Sequence, residues 1–298
     1  MQKNQYIWKN KKFIKKDNAK TSVLSHSLHY GTGVFEGIRA YDTKKGTAIL
    51  KLMEHVKRFF YSMKVMGIKS PYSIDELVDG IKNTVNKNKM KSCYIRPLAY
   101  FGEGDLKILP EENHPINIII ACIEMKNYFK KQGINIKISK YIRIHPKSTV
   151  CDAKISGHYV NSMLADLECR NTKYDAALLL DMDGFVAEGS AQNIFIVKNG
   201  IMKTTPPGTI LDGITKKLII EIAKKEKIKV IEEKFRVEEI IDADEAFFSG
   251  TATEIVSINE VEGKKIGKRH DISISKKIKE EFCSITQGIK YSNYLTYI

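Results

Sequence analysis

The sequence predicts an α+β fold in two domains, and three observations lead there. At 298 residues, with 43% hydrophobic and 28% charged content, the chain is long enough to build more than one core. The first third reads as strand-rich with two helices, and the remainder as strand pairs and helices in turn. The pattern breaks at a polar stretch from Glu124 to Gln132 and restarts after Gly133. The expected organisation is a small N-terminal domain over residues 1–123, an interdomain loop over 124–133, and a larger C-terminal domain over 134–298.

Each element has a local reason. Gly33 to Ala40 and Thr47 to Lys51 flank the turn Asp42-Thr43-Lys44-Lys45-Gly46 and read as a hairpin. Met53 to Met66 places Val56, Phe59, Phe60, Met63 and Met66 on one helical face. Ser73 with Glu76 three residues later is a capping box that opens a second helix. Ser92 to Phe101 and Ile116 to Ile123 read as buried strands. Beyond Gly133 come a strand, Ile134 to Lys140, and a helix near Tyr159 to Arg170. Residues 176–180 and 184–188 pair across Asp181-Met182-Asp183-Gly184, and 193–203 repeats that design around Lys198-Asn199-Gly200. A helix starts at Ile214, strands lie near 245–249 and 253–258, and a last helix runs near Ile274 to Phe282.

Composition removes several function classes. The longest apolar stretch, Ile116 to Ile123, contains Asn117 and is far too short to span a bilayer. The start of the chain has no apolar segment of the secretory kind. Five cysteines, an odd number without C-x-x-C spacing, point to reduced thiols in a cytoplasm and to no metal site. The net charge of +14 raises the alternative of a nucleic-acid-binding protein. The basic residues are dispersed over many faces with acidic neighbours, and no nucleic-acid motif is present, so no nucleic-acid partner is expected. A positive field would still attract anionic substrates and cofactors.

Four short motifs carry chemistry. The first is Asp152-Ala153-Lys154-Ile155-Ser156-Gly157-His158-Tyr159. A lysine in so basic a chain is ordinarily a surface charge, but small neighbours and a helix starting at Tyr159 would let this one reach into a cleft. A buried lysine loses its charge readily and becomes a nucleophile for carbonyls. The second motif places Glu188 at a strand end before Gly189-Ser190, either as a solvated carboxylate or as a partner for a pyridine nitrogen. The third, Gly213-Ile214-Thr215, is a helix start whose free N–H groups and dipole suit a phosphate. The fourth, Ser249-Gly250-Thr251-Ala252, can add a hydroxyl and another N–H. Arg58, off the apolar face of its helix, is either a solvated charge or a forked phosphate donor. A lysine, a carboxylate and a phosphate cradle are the parts a pyridoxal 5′-phosphate site needs.

The stretch His29-Tyr30-Gly31-Thr32-Gly33-Val34-Phe35-Glu36-Gly37-Ile38-Arg39 strongly resembles branched-chain amino acid aminotransferases. So do Tyr94-Ile95-Arg96-Pro97-Leu98 and the four motifs above, in the family's order and spacing over nearly the whole chain. The resemblance implies the fold-type IV architecture: a small α/β domain, a short loop, and a larger domain with a barrel-like sheet. It implies that Lys154 forms the Schiff base with pyridoxal 5′-phosphate and carries the proton, that Tyr159 hydrogen-bonds the phenolic oxygen, and that Glu188 faces the ring nitrogen. Arg58, Ile214, Thr215, Gly250 and Thr251 would hold the phosphate. Tyr30, Arg96, Thr251 and Ala252 would seat carboxylates, while Phe35, Gly37, Tyr94 and Tyr128 would line the side-chain pocket. The implied reaction moves the amino group between L-leucine, L-isoleucine or L-valine and 2-oxoglutarate, in branched-chain amino acid biosynthesis. The implied assembly is a homo-oligomer, at least a dimer, whose active site a loop of the neighbouring subunit completes. A D-amino acid transaminase and an aminodeoxychorismate lyase share the fold and remain alternatives. The chain departs from the common pattern at His158, Gln192 and Asp212, none of which removes a group the mechanism needs.

Overall fold

The computed structural model describes residues 5–125, 128–129, 131, 133–267 and 273–298. The expected interdomain loop, 124–133, therefore lies partly outside the described residues. The chain divides into two compact units. Unit 1 comprises Met1–Lys126, Ala153–Gly157 and Ile285–Ile298, and unit 2 comprises Asn127–Asp152 and His158–Ser284. The division is discontinuous, whereas the sequence pattern suggested one break. Two pairings draw the later segments into unit 1: Ile155 bridges Val34, and Leu295 pairs with Leu50.

Unit 1 contains strands β1 (Tyr6–Lys9), β2 (Lys12–Lys15), β3 (Val34–Phe35), β4 (Ile38–Thr43), β5 (Gly46–Leu50), β6 (Cys93–Phe101), β7 (Ile116–Ile123) and, late in the chain, β17 (Leu295–Tyr297). Its helices are α1 (His26–Tyr30), α2 (Leu52–Val65) and α3 (Ile74–Lys87). The strands form one antiparallel sheet in the order β17-β5-β4-β6-β7-β1-β2, with β3 also on β6. The capping box forms as expected: Glu76 N–H donates to Ser73 Oγ and Ser73 N–H donates to the Glu76 carboxylate. Helices α2 and α3 bury Val56, Phe59, Met63, Leu77 and Ile81 in one core with Trp8, Ile38, Ile49, Ile95 and Ile120 of the sheet. Burial of this kind stabilises by about 1.5–3 kcal/mol per large apolar side chain.

The expected strand 33–40 is two strands. Val34 and Phe35 face Ala99 and Leu98, and Ile38 resumes opposite Ile95. Between them Pro97 has no N–H to offer the ladder. Glu36 N–H donates to the Pro97 carbonyl at 2.9 Å, and the Glu36-Gly37 pair is set apart from the regular pleat. That break decides where the Glu36 side chain goes.

Unit 2 contains β8 (Gly133–Ile138), β9 (Ala176–Leu180), β10 (Val186–Gly189), β11 (Asn193–Lys198), β12 (Ile201–Thr204), β13 (Val230–Glu232), β14 (Glu245–Gly250), β15 (Glu254–Val261) and β16 (Lys264–Lys265). Its helices are α4 (Tyr159–Leu167), α5 (Ile214–Lys225), α6 (Val237–Ile241) and α7 (Ile274–Thr286), the last of which ends in residues assigned to unit 1. The sheet is mixed, in the order β10-β9-β8-β15-β14-β11-β12-β13, with β8 parallel to both β9 and β15. Alternation sorts its faces. Ile194, Ile196 and Phe248 join one buried cluster, while the register partners Phe195 and Phe247 stack at 5.0 Å.

Candidate active site

In unit 1 the Lys154 segment lies along β3. The Lys154 carbonyl accepts from Phe35 N–H at 3.1 Å, and its own N–H donates to Ser62 Oγ of α2 at 2.9 Å. Ser156 N–H donates to Gly33 O at 2.7 Å, and Gly157 N–H to Gly31 O at 2.9 Å. With both backbone groups held, the direction in which the side chain leaves is fixed. Lys154 Nζ sits 5.0 Å from the centre of the Phe35 ring, while the Arg96 guanidinium carbon sits 4.5 Å from the same ring. A ring that carries two cations meets them through its electron-rich faces.

Arg96 also donates from Nη2 to the Tyr94 hydroxyl at 3.0 Å. Tyr94 closes over Gly37 so tightly that a Cβ there would lie 2.0 Å from the phenol oxygen. Phe35, Gly37, Tyr94, Arg96 and Lys154 are therefore brought together. Tyr30, at the end of α1, is half exposed, and its hydroxyl donates to Leu106 O at 2.8 Å.

Arg58 is not a solvated charge. Its Nε donates to Glu36 Oε1 at 2.6 Å and its Nη2 to Glu36 Oε2 at 2.9 Å. His55 Nδ1 lies 2.7 Å from the same Oε2. Glu36 is 0% exposed. Burial alone would raise its carboxyl, but Arg58 and His55 together hold it well below the usual carboxylate range. Burial lowers His55, against the opposing pull of Glu36, so His55 is uncharged at neutral pH and its Nδ1 carries the proton.

Unit 2 holds the other motifs. Glu188, next to last in β10, is 4% exposed. Oε1 accepts from Arg143 Nε at 2.6 Å and from Leu211 N–H at 3.1 Å, and Oε2 accepts from Asn193 Nδ2 at 3.2 Å. Asn193 Nδ2 also donates to Leu211 O at 3.0 Å. The carboxylate is thus tied to the loop that leads into α5. That helix begins at Gly213, which offers no side-chain cap, and its first turn holds no acidic residue. First-turn N–H groups without a capping side chain suit an anion. A Cβ at Gly213 would crowd Asn193 Oδ1, the side-chain oxygen of a residue held by Glu188 and Leu211. Ile214 and Thr215 are buried, Gly250 ends β14, and Thr251 and Ala252 form the turn that follows. Tyr159 opens α4, and Tyr128 is half exposed with its ring packed edge-on to Phe129 at 4.9 Å.

The departures from the common pattern are each accommodated. His158 Nε2 lies 2.6 Å from Thr149 Oγ1, Gln192 Oε1 accepts from Ala191 N–H at 3.1 Å, and Asp212 pairs with Lys217. Sequence reasoning gave no role to Glu36, His55, Ser62, Arg143 or Asn193. One signal was present: His55 and Ser62 are seven residues apart on the buried stripe of α2, where polar side chains need a partner.

The chain matches the family described as amino-transferase class IV over residues 33–261 and belongs to it. It is similar to the branched-chain-amino-acid aminotransferase of Pseudomonas aeruginosa strain PAO1, with 38% identity over 95% of this chain and 93% of that one. With the Escherichia coli K12 enzyme of the same description, identity is 36% over 96% of this chain and 94% of that one. Among solved structures, a T.th. branched-chain amino acid aminotransferase complexed with N-(5′-phosphopyridoxyl)-L-glutamate matches with a TM-score of 0.94. Its identity is 39%, with 100% of this chain and 99% of that chain covered. The α+β, fold-type IV architecture expected from the sequence is the one this chain adopts.

Proposed function

We propose that this protein is a branched-chain-amino-acid transaminase that uses pyridoxal 5′-phosphate. The observation that carries the reading is the tie, through Leu211 and Asn193, between the Glu188 carboxylate and the uncapped start of α5. It joins an acceptor for a ring nitrogen to donors for a phosphate, the two ends of that cofactor, and so the residues present fit the group. When bound, the cofactor supplies the electron-accepting ring that allows an amino-acid α-carbon to lose a proton.

The chain's own residues then divide the work. Lys154 Nζ would hold the cofactor covalently between turnovers; displaced by the incoming amino group, the freed amine would take the α-proton in one half-reaction and give a proton back to the α-carbon in the other. Glu188 accepts from the ring nitrogen and keeps it protonated. Tyr159 donates to the phenolic oxygen. Arg58, Thr215, Thr251 and the N–H groups of Ile214 and Gly250 hold the phosphate. Over the two half-reactions, L-leucine, L-isoleucine or L-valine and 2-oxoglutarate become the branched 2-oxo acid and L-glutamate.

One pocket must take an aliphatic chain in one half-reaction and a carboxylate in the other. Phe35, Tyr94, Tyr128 and the bare Gly37 supply the apolar wall. Tyr30, Arg96 and the Thr251-Ala252 turn supply donors, and Arg96 Nε is buried without an acceptor among the described residues. Such a donor is suited to an incoming carboxylate.

A second copy of the chain is the proposed partner. Val160 and Met163 of α4 are 57% and 56% exposed, and Ile108 and Leu109 are each 83% exposed. Apolar side chains this bare mark contact surfaces. No helix among the described residues is long and apolar enough to cross a membrane. A cytoplasmic location is the proposed one, in keeping with an odd number of cysteines, five.

The test is the absorption spectrum of the purified protein. A bound-cofactor band that shifts on adding L-leucine and returns on adding 2-oxoglutarate is the expected result. A band that ignores L-leucine and answers D-alanine keeps the family and changes the enzyme. No band after adding pyridoxal 5′-phosphate ends the reading. Light scattering on the same sample gives the assembly, and a monomer would end the partner proposal.

A further inference from the structure

Glu36 has no part in the reaction as assigned, yet it is an ionised carboxylate with 0% exposure. Groups of this kind are expensive to bury and persist where their contacts are needed. We infer that Glu36 is a positioning residue, which sets the Arg58 guanidinium for the cofactor phosphate while His55 fixes Glu36 in turn. The inference rests on the assignment of Arg58 to that phosphate.

The geometry gives each group one job. Glu36 takes the Nε–Nη2 edge of Arg58 side-on, at 2.6 and 2.9 Å, so the guanidinium plane is fixed and Nη1 is directed away from the carboxylate. The rest of Glu36 is also occupied. Oε2 accepts from His55 Nδ1 at 2.7 Å and from Gly37 N–H at 3.2 Å, and the Glu36 backbone is tied to Pro97 O. His55 and Arg58 are three residues apart on α2, so one helix face grips a single carboxylate twice. A long arginine side chain left alone would lose its freedom when the ligand arrives. Here it is ordered on folding, and binding need not order it again.

The arrangement also separates orientation from net charge. Glu36 formally neutralises Arg58. If charge alone decided phosphate affinity, removing the Glu36 charge would tighten binding. If orientation decides, removing it loosens binding.

The experiment compares holoenzyme of the parent and of Glu36→Gln for two ligands, pyridoxal 5′-phosphate and pyridoxal, which lacks the phosphate. The expected result is a loss of pyridoxal 5′-phosphate affinity of roughly tenfold to a hundredfold, with pyridoxal affinity unchanged. Unchanged or tighter binding of pyridoxal 5′-phosphate, or an equal loss for both ligands, overturns the inference. Arg58→Met serves as the reference. If it leaves the ratio of the two affinities unchanged, the phosphate assignment of Arg58 has failed, and Glu36 with it. If it lowers the ratio and Glu36→Gln does not, only the positioning role has failed. The double variant should lose no more than Arg58→Met alone, and additive losses would contradict the role. Should Glu36→Gln not fold, His55→Ala leaves the carboxylate–guanidinium pair in place. It should then show the same selective loss at smaller size, and an equal loss for both ligands or none overturns the inference.

Discussion

In unit 1 Arg58 grips Glu36, and in unit 2 Arg143 grips Glu188, each through Nε at 2.6 Å. The pairs look alike, but their remaining contacts differ. Glu36 is closed off by a histidine and a second guanidinium nitrogen, and under the proposed assignment the arginine is the member that meets the phosphate. Glu188 is held by a backbone N–H and an asparagine that lead to a helix start, and under the proposed function the carboxylate is the working member. A buried ion pair does not reveal which partner is functional. The contacts around it do.

The comparison breaks most decisively at Arg143. Replacing it with alanine leaves Glu188 buried without its cation, and such a change destabilises by about 3–5 kcal/mol. Chemical unfolding of Arg143→Ala should show a loss of that order, and a loss below about 1 kcal/mol would mean that Arg143 is dispensable. Next comes Glu188→Gln. It keeps the shape and removes the charge, so turnover with L-leucine should fall by about 10²–10³-fold, while the protein still binds pyridoxal 5′-phosphate. A turnover near the parent's would place the working group elsewhere.

Smaller in effect are two glycine substitutions. Gly213→Ala drives a methyl into Asn193 Oδ1 and should cost about 1–3 kcal/mol of stability, read by thermal unfolding. Gly37→Ala meets the Tyr94 hydroxyl instead. It should lower kcat/KM for L-leucine more than it lowers stability, and a pure stability loss would remove Gly37 from the pocket.

The mildest effect, near neutrality, is on pH dependence. His55 is lowered from 6.5, so below that value the unfolded chain takes up a proton that the folded chain refuses, and stability falls as pH falls. Glu36 is lowered from 4.5, so its contribution is present above that value and is lost on further acidification. Both signs agree, and the parent should weaken in two stages. Glu36→Gln should keep the first stage and show a smaller second stage in acid unfolding followed by circular dichroism. A second stage as large as the parent's would assign it to other carboxylates such as Glu76.

How much of this was legible beforehand depends on distance along the chain. The capping box at Ser73, the hairpin at 43–46 and the helix start at Gly213 were readable because each is closed within a few residues. The Lys154, Glu188 and Arg58 motifs stood out because their residue types and spacing resemble a family's, and their roles belong to the proposed function. Arg143 escaped because its partner lies 45 residues away, among many dispersed basic residues. Glu36 stood inside a recognised motif without a role, because its meaning depends on the break opposite Pro97, which only strand pairing reveals.

That break belongs to a short strand whose outer edge waits for a distant segment. β3 is flanked by β6 on one side and by Ile155 on the other. During synthesis, at about 5–20 residues per second, the chain must grow for several seconds beyond β6 before residue 155 emerges. Until then β3 presents an unpaired edge, the kind of surface that recruits wrong partners. At two residues it is too short to recruit them well. Lys154 thus joins this unit by closing an edge left open on the ribosome, and a half-made chain cannot display it in place.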